Sequence, residues 1–122
     1  MENKKIKFTE LPTYQCKTDF GTYDIKIIRT KYMDNDSIAL ILFEADTGEE
    51  FAVITVNIED GVANGNMTYL DANNCRWAED FLVKNKLGKF AQNYGYSGFC
   101  VYPLYEIAVD KIIDEEVIDW CE

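Results

Sequence analysis

The sequence predicts an α+β fold: an antiparallel β-sheet, a meander of about four to six strands, with one main α-helix packed on it and a short C-terminal helix. Three observations predict it. Short apolar segments separated by turn residues fill residues 13–58. Trp77, Ala78, Phe81 and Leu82 then recur at helical spacing. An aromatic segment over residues 99–107 reads as a final strand. With 122 residues, 48% of them hydrophobic, the chain reads as one domain, residues 1–122, able to bury a core without disulfides or metal.

The elements follow in order. Residues 13–18 alternate like a half-buried strand, and Asp19-Phe20-Gly21 supplies a turn. Tyr23, Ile25 and Ile27 continue the alternation on one face. Asp34-Asn35-Asp36 is a second turn; it resembles the start of a calcium loop but lacks the later glycine and glutamate. The unbroken apolar run of residues 38–43 predicts a central strand covered on both faces. Asp46-Thr47-Gly48-Glu49 reads as a hairpin turn. Its return strand has Ala52, Ile54, Val56 and Ile58 inward and Thr55 and Asn57 outward. Residues 59–66 read as an exposed loop, and residues 67–70 as a short strand.

The spacing predicts a helix over residues 75–86, with Asn73 and Asn74 as capping residues and Gly88 in the left-handed position past its end. Asp80 and Lys84 are placed to pair at i,i+4. Pro103 cannot donate a ladder hydrogen bond, which indicates an edge strand or a bulge. Residues 114–120 read as a short helix or a fraying tail, with Val117, Ile118 and Trp120 available to dock on the body.

The net charge of −10 argues against binding to nucleic-acid phosphates or to an anionic membrane. Its distribution is uneven. Residues 33–75 carry nine acidic side chains and no basic one. No apolar run is long enough to span a bilayer, and the basic start leads into no signal-peptide core. Cytoplasmic localisation is therefore expected, with reduced thiols. Histidine is absent, which excludes Cys-His and Ser-His catalysis. The four cysteines, Cys16, Cys75, Cys100 and Cys121, are too widely spaced for a zinc site, and no cofactor or metal is expected. Cys16 and Cys100 sit in strand patterns and read as buried thiols.

Two segments together are distinctive: Leu70-Asp71-x-Asn73-Asn74-Cys75-x-Trp77-Ala78-Glu79-x-Phe81, and Gly95-x-Ser97-Gly98-Phe99-Cys100-x-Tyr102-Pro103-Leu104-Tyr105. The chain resembles, over residues 13–111, a family of small domains of unknown function encoded on conjugative and other mobile elements of gut bacteria. That family commonly has proline where this chain has Arg76. Proline there would suit a helix's first turn. The resemblance implies a cytoplasmic accessory protein of a mobile element and carries over no catalytic residue.

The expected function is a non-enzymatic interaction protein. The base-free stretch supplies the contact surface: Glu44, Asp46, Glu49, Glu50, Glu59 and Asp60. Its partner is expected to be a basic protein surface, such as the channel of a host nuclease or CRISPR-type effector, giving an inhibitor of anti-defence type. The bland alternative is a solvated acidic face that keeps the protein soluble. A second reading is a small-molecule or peptide-binding module built on the aromatic region 94–105, with Tyr94 and Tyr96 exposed and Phe99 in the core. A third is a thiol-dependent enzyme using Cys75, since a helix N-terminus favours thiolate. Sheet edges also leave room for a homo-oligomer.

Overall fold

A computed structural model describes residues 5–58 and 65–120. The chain is predominantly antiparallel β-sheet with one short α-helix, and it has more strands than the pattern predicts. β1 (Ile6–Lys7) leads into a 3₁₀ turn over Phe8–Glu10. β2 (Tyr14–Thr18), β3 (Gly21–Lys31), β4 (Ile38–Glu44) and β5 (Glu50–Val53) form an antiparallel meander. β6 (Thr55–Val56), β7 (Met67–Leu70), α1 (Ala78–Lys84), β8 (Gly88–Ser97) and β9 (Cys100–Ile107) follow. Two short strands come last among the described residues, β10 (Ile113–Asp114) and β11 (Ile118–Asp119), with a 3₁₀ turn between them.

The strands fall into three sheets. One has the order β10-β3-β4-β5, with β2 also on β3, and a second has the order β6-β7-β9-β8. β1 pairs with β11 in a small third sheet. The two pairings made by the C-terminal strands, β10 with β3 and β11 with β1, are parallel. The unbroken run 38–43 does form a central strand, flanked by β3 and β5.

The large sheets are joined at Ile54. Its N–H bonds to the Leu40 carbonyl at 3.1 Å, and its own carbonyl accepts from Asp71 N–H at 2.8 Å. The strand that answers the 46–49 turn therefore changes sheets midway. This corrects the expected alternation: Thr55 is buried, not outward. Its hydroxyl meets Tyr32 Oη at 3.0 Å and accepts from Leu40 N–H at 3.2 Å. Thr68 Oγ1 closes the same seam on the Ile38 carbonyl at 2.6 Å.

The main core lies on one side of both sheets, with Ile25, Ile27, Leu40, Leu42, Ile54, Leu70, Leu82 and Ile107 all buried. A second cluster covers the opposite face of β3. Leu11, Ile28 and Ile118 pack there with Phe8 and Phe43. Trp120 sits 5.7 Å from the Phe8 ring and 5.5 Å from Phe43. So the tail docks, as its apolar residues suggest, but as strands and a 3₁₀ turn. Asp114 caps that turn by accepting from Glu116 N–H. The covering also buries Lys26, which alternation places in solvent. Its ammonium bonds the Leu11 carbonyl and lies 5.6 Å from the Phe8 ring centre.

The helix is shorter than predicted at both ends. Asn73 and Asn74 do not cap it. Asn74 is engaged by the Asp71 carboxylate and Asn73 by the Val101 carbonyl, so residues 71–77 form turns. Cys75 N–H bonds to Asp71, and Ala78 N–H to Cys75. At the other end Lys86, not Gly88, takes the left-handed conformation, at φ 57°. Lys86 N–H bonds to Val83 and Leu87 N–H to Leu82, the paired bonds of a Schellman close. Leu82 and Leu87 are both fully buried, which supplies that motif's apolar contact and holds the strained lysine. Gly88 instead opens β8. The predicted inner face stands: Ala78, Phe81 and Leu82 are buried, and Trp77 rests on Phe51 at 5.7 Å. Lys84 and Asp80 pair at 3.0 Å on the outside.

Candidate functional site

Four of the six predicted contact carboxylates lie together. Glu44 ends β4, Asp46 and Glu49 lie in the turn, and Glu50 starts β5. The turn is held by its own bonds. Gly48 N–H donates to the Glu44 carbonyl and Glu44 N–H to the Glu49 carbonyl, both at 2.9 Å. Thr47 Oγ1 donates to Glu44 Oε2 at 3.2 Å and accepts from Glu49 N–H at 3.1 Å. Asp46, Glu49 and Glu50 are exposed and Glu44 is half-buried. Ala45 N–H bonds to the carbonyl of Asp24, which brings one further exposed carboxylate to this end of the sheet. Among the described residues no ion pair reaches these side chains; the two pairs present are Arg29–Asp114 and Lys84–Asp80. Glu59 and Asp60, with most of the expected 59–66 loop, lie outside the described residues.

The base-free stretch does not fold as one patch. Asp34 and Asp36 occupy the turn at the other end of β4, a separation of roughly 20 Å at about 3.4 Å per residue. There Asp36 faces the tail acids Asp114, Glu115 and Glu116 across a cleft of about 300 Å³. Thr30 donates to Glu115 at 3.0 Å, and Arg29 holds Asp114 at 2.9 Å. No local pattern brings these tail acids to Asp36, because the parallel pairing of β10 with β3 is a long-range event.

The aromatic region is a hairpin, β8–β9, closed by Gly98 and Phe99. Gly98 at φ 61° suits the first position of a tight primed turn. Phe99 at the second position is fully exposed, not in the core as expected, and Cys100 beside it is exposed, not buried. Both corrections have one cause: the residues sit at the tip, beyond the reach of either packed layer. β9 lies between β7 and β8, so Pro103 is not on an edge strand. It adjoins instead a bulge in β8, where the register shifts between Phe90 and Tyr94 and Gln92 has φ 58°. Tyr94 and Tyr96 are exposed, as expected. Tyr102 pairs with Gly95 and so belongs to the other face of the hairpin. The three tyrosines therefore do not line one pocket. A cavity of about 350 Å³ lies elsewhere, between the end of α1 and β9, lined by Val83, Lys86, Lys89 and Ile107.

Cys75 is buried three residues before α1 begins. Burial raises its thiol above the ordinary value, and the Asp71 carboxylate adds to the rise. Cys16 lies close enough to feel Cys75, and burial pushes it up to about 12. Both environments favour the neutral thiol, the reverse of what a nucleophile needs. Tyr105 donates to Glu79 Oε1 at 2.7 Å. Burial first, then this bond, raises its phenol above the ordinary value. That contact ties β9 to the helix and is read as structural. No helix among the described residues is long and apolar enough to cross a membrane.

Comparison with curated proteins and with solved structures finds no match. A family model does match, over residues 25–121, and so takes in the acidic turn, the helix and the aromatic hairpin alike. The chain belongs to the DUF4313 family, a domain of unknown function.

Proposed function

We propose that this chain is a non-enzymatic interaction protein that docks its acidic β4–β5 turn onto a basic protein surface. One observation carries the reading: Glu44, Asp46, Glu49 and Glu50 share a turn fixed by four internal hydrogen bonds, and no cation neutralises them within the described structure. A fixed anionic turn keeps its field outside the protein, where it steers a cationic partner and loses little entropy on binding. The partner that fits is a protein whose own ligand is a polyanion. A nuclease or CRISPR-type effector that threatens a mobile element is the concrete case, and the turn would occupy its nucleic-acid channel. Buried, neutral thiols at Cys16 and Cys75 favour this reading over thiol catalysis.

The test is affinity capture from host lysate with the intact chain and with E49K/E50K. The intact chain should retain a basic protein that added duplex DNA displaces. The charge-reversed chain should lose it while melting at the same temperature, since both positions are exposed. Equal capture by the two chains overturns the proposal.

A further inference from the structure

The β8–β9 hairpin presents a second surface of opposite character. Residues 90–105 contain no Asp, Glu, Lys or Arg, in a chain with 28% charged residues. Phe90, Tyr94, Tyr96, Phe99 and Val101 are all exposed there, between 36% and 106%. Register explains the grouping of all but Phe99, which stands beside them at the tip. Phe90 pairs with Tyr105, Tyr94 with Pro103 and Tyr96 with Val101, so these six positions share one face. The inner end of that face is core: Tyr105 is buried, and Phe90 lies 5.9 Å from its ring and 5.3 Å from Tyr94. The outer end continues the core surface past the helix, and its side chains stay exposed among the described residues. The back of the hairpin is anchored, because Gly95 rests directly on Tyr69 and Ile58.

We propose that this face binds a second copy of the chain, the two hairpins packing front to front about a twofold axis. The area suffices. At roughly 200 Å² per aromatic side chain, the exposed fractions of the four rings give about 500 Å² per protomer, and the pair of copies about 1,000 Å², the threshold of a specific interface. The charge pattern selects the occupant. Two copies at −10 repel wherever their carboxylates approach, and the hairpin is a surface whose own residues, 90–105, bring no ionised side chain of either copy into the contact. A basic partner gains nothing from such a face and is drawn to the acidic turn instead. Packing is face to face, since the bulge at Gln92 interrupts the edge that strand addition would need.

Analytical ultracentrifugation of the full chain over a micromolar concentration series tests this. A reversible dimer is expected, tightened by added salt, which screens the repulsion between copies. Y96S/F99S should weaken it by roughly a hundredfold or more, each lost ring counting twice in a symmetric contact. Its circular dichroism and melting should match the parent's, because both side chains are exposed. E49K/E50K should still dimerise, which separates this inference from the acidic-turn reading. A chain that stays monomeric throughout overturns the inference and leaves the face to a different protein. A dimer loosened by salt, or unchanged in Y96S/F99S, overturns it as well.

Discussion

Replacing Gly95 with alanine is the sharpest test of how the hairpin is held. A Cβ at this position would stand 2.6 Å from Tyr69 Cε1, 2.8 Å from Ile58 Cδ1 and 2.9 Å from Tyr69 Cζ. Carbon atoms in contact prefer about 3.5–4.0 Å, so Tyr69 would have to move by roughly 1 Å. The Ile58 methyl is the end of a flexible chain and can turn aside. The Tyr69 ring cannot, because it is buried with Leu104 in the cluster behind the hairpin. Overpacking of this kind costs about 1–3 kcal/mol. In a strand whose backbone tolerates it, the same substitution would otherwise stabilise by about 0.5–1 kcal/mol. The net expectation for Gly95→Ala is a loss of about 1–2 kcal/mol, a fall in Tm of roughly 4–8 °C for a chain of this size. Urea and thermal melts followed by circular dichroism measure it. Adding Ile58→Val should recover only part of the loss, the part due to the methyl. A G95A chain as stable as the parent would refute the close approach of β8 to Tyr69, and with it the account of why the aromatic face points outward.

The remaining predictions concern the titrating groups. In a C121S background, a thiol reagent at neutral pH should label Cys100 rapidly and leave Cys16 and Cys75 unmodified until the chain unfolds, read by mass spectrometry; fast labelling of Cys75 would revive the thiol chemistry. Tyr105 keeps its proton in the fold to a higher pH than in the unfolded chain, where it ionises near 10. Above that pH the unfolded state binds fewer protons, so its share of stability is complete below about pH 10 and is lost as pH rises further. The fall in stability on raising the pH from 9 to 11 should therefore be shallower in Tyr105→Phe than in the parent, while at neutral pH that variant should lose about 1 kcal/mol for the bond to Glu79.

Period and turn chemistry were sufficient for the strands and turns of residues 13–53. Gly21, the 34–36 turn and the 46–49 turn are read from residue type, because each needs only its own backbone geometry. The inner face of α1 was legible for the same reason, since the spacing of Ala78, Phe81 and Leu82 is intrinsic to a helix. The helix ends were not. Asn73 and Asn74 look like caps in isolation, but Val101 and Asp71 compete for them across the fold. Thr55 and Lys26 alternate outward along their strands, yet both are buried, because a sheet change at Ile54 and the docking of residues 6–11 and 118–120 cover faces that alternation leaves in water. The acidic turn was legible since its carboxylates are neighbours in sequence, while the tail acids reached Asp36 only through the parallel pairing of β10.

By itself, then, the amino-acid order determined the strands and turns of residues 13–53, the inner face of the helix, and that one short turn would carry a dense negative charge; it did not determine β8 or the strands of the tail, whose extension depends on pairing with distant segments. Residue type beside glycine pointed to exposure at Tyr94 and Tyr96, but tertiary structure alone decided that Phe99 remains outside. Phe99 and Phe81 are the same residue type, and charged neighbours flank only Phe81 along the chain, yet Phe99 is bare at a hairpin tip and Phe81 is sealed in the core. Burial is a property of where distant segments converge, and no local pattern encodes the distance of a residue from that meeting point.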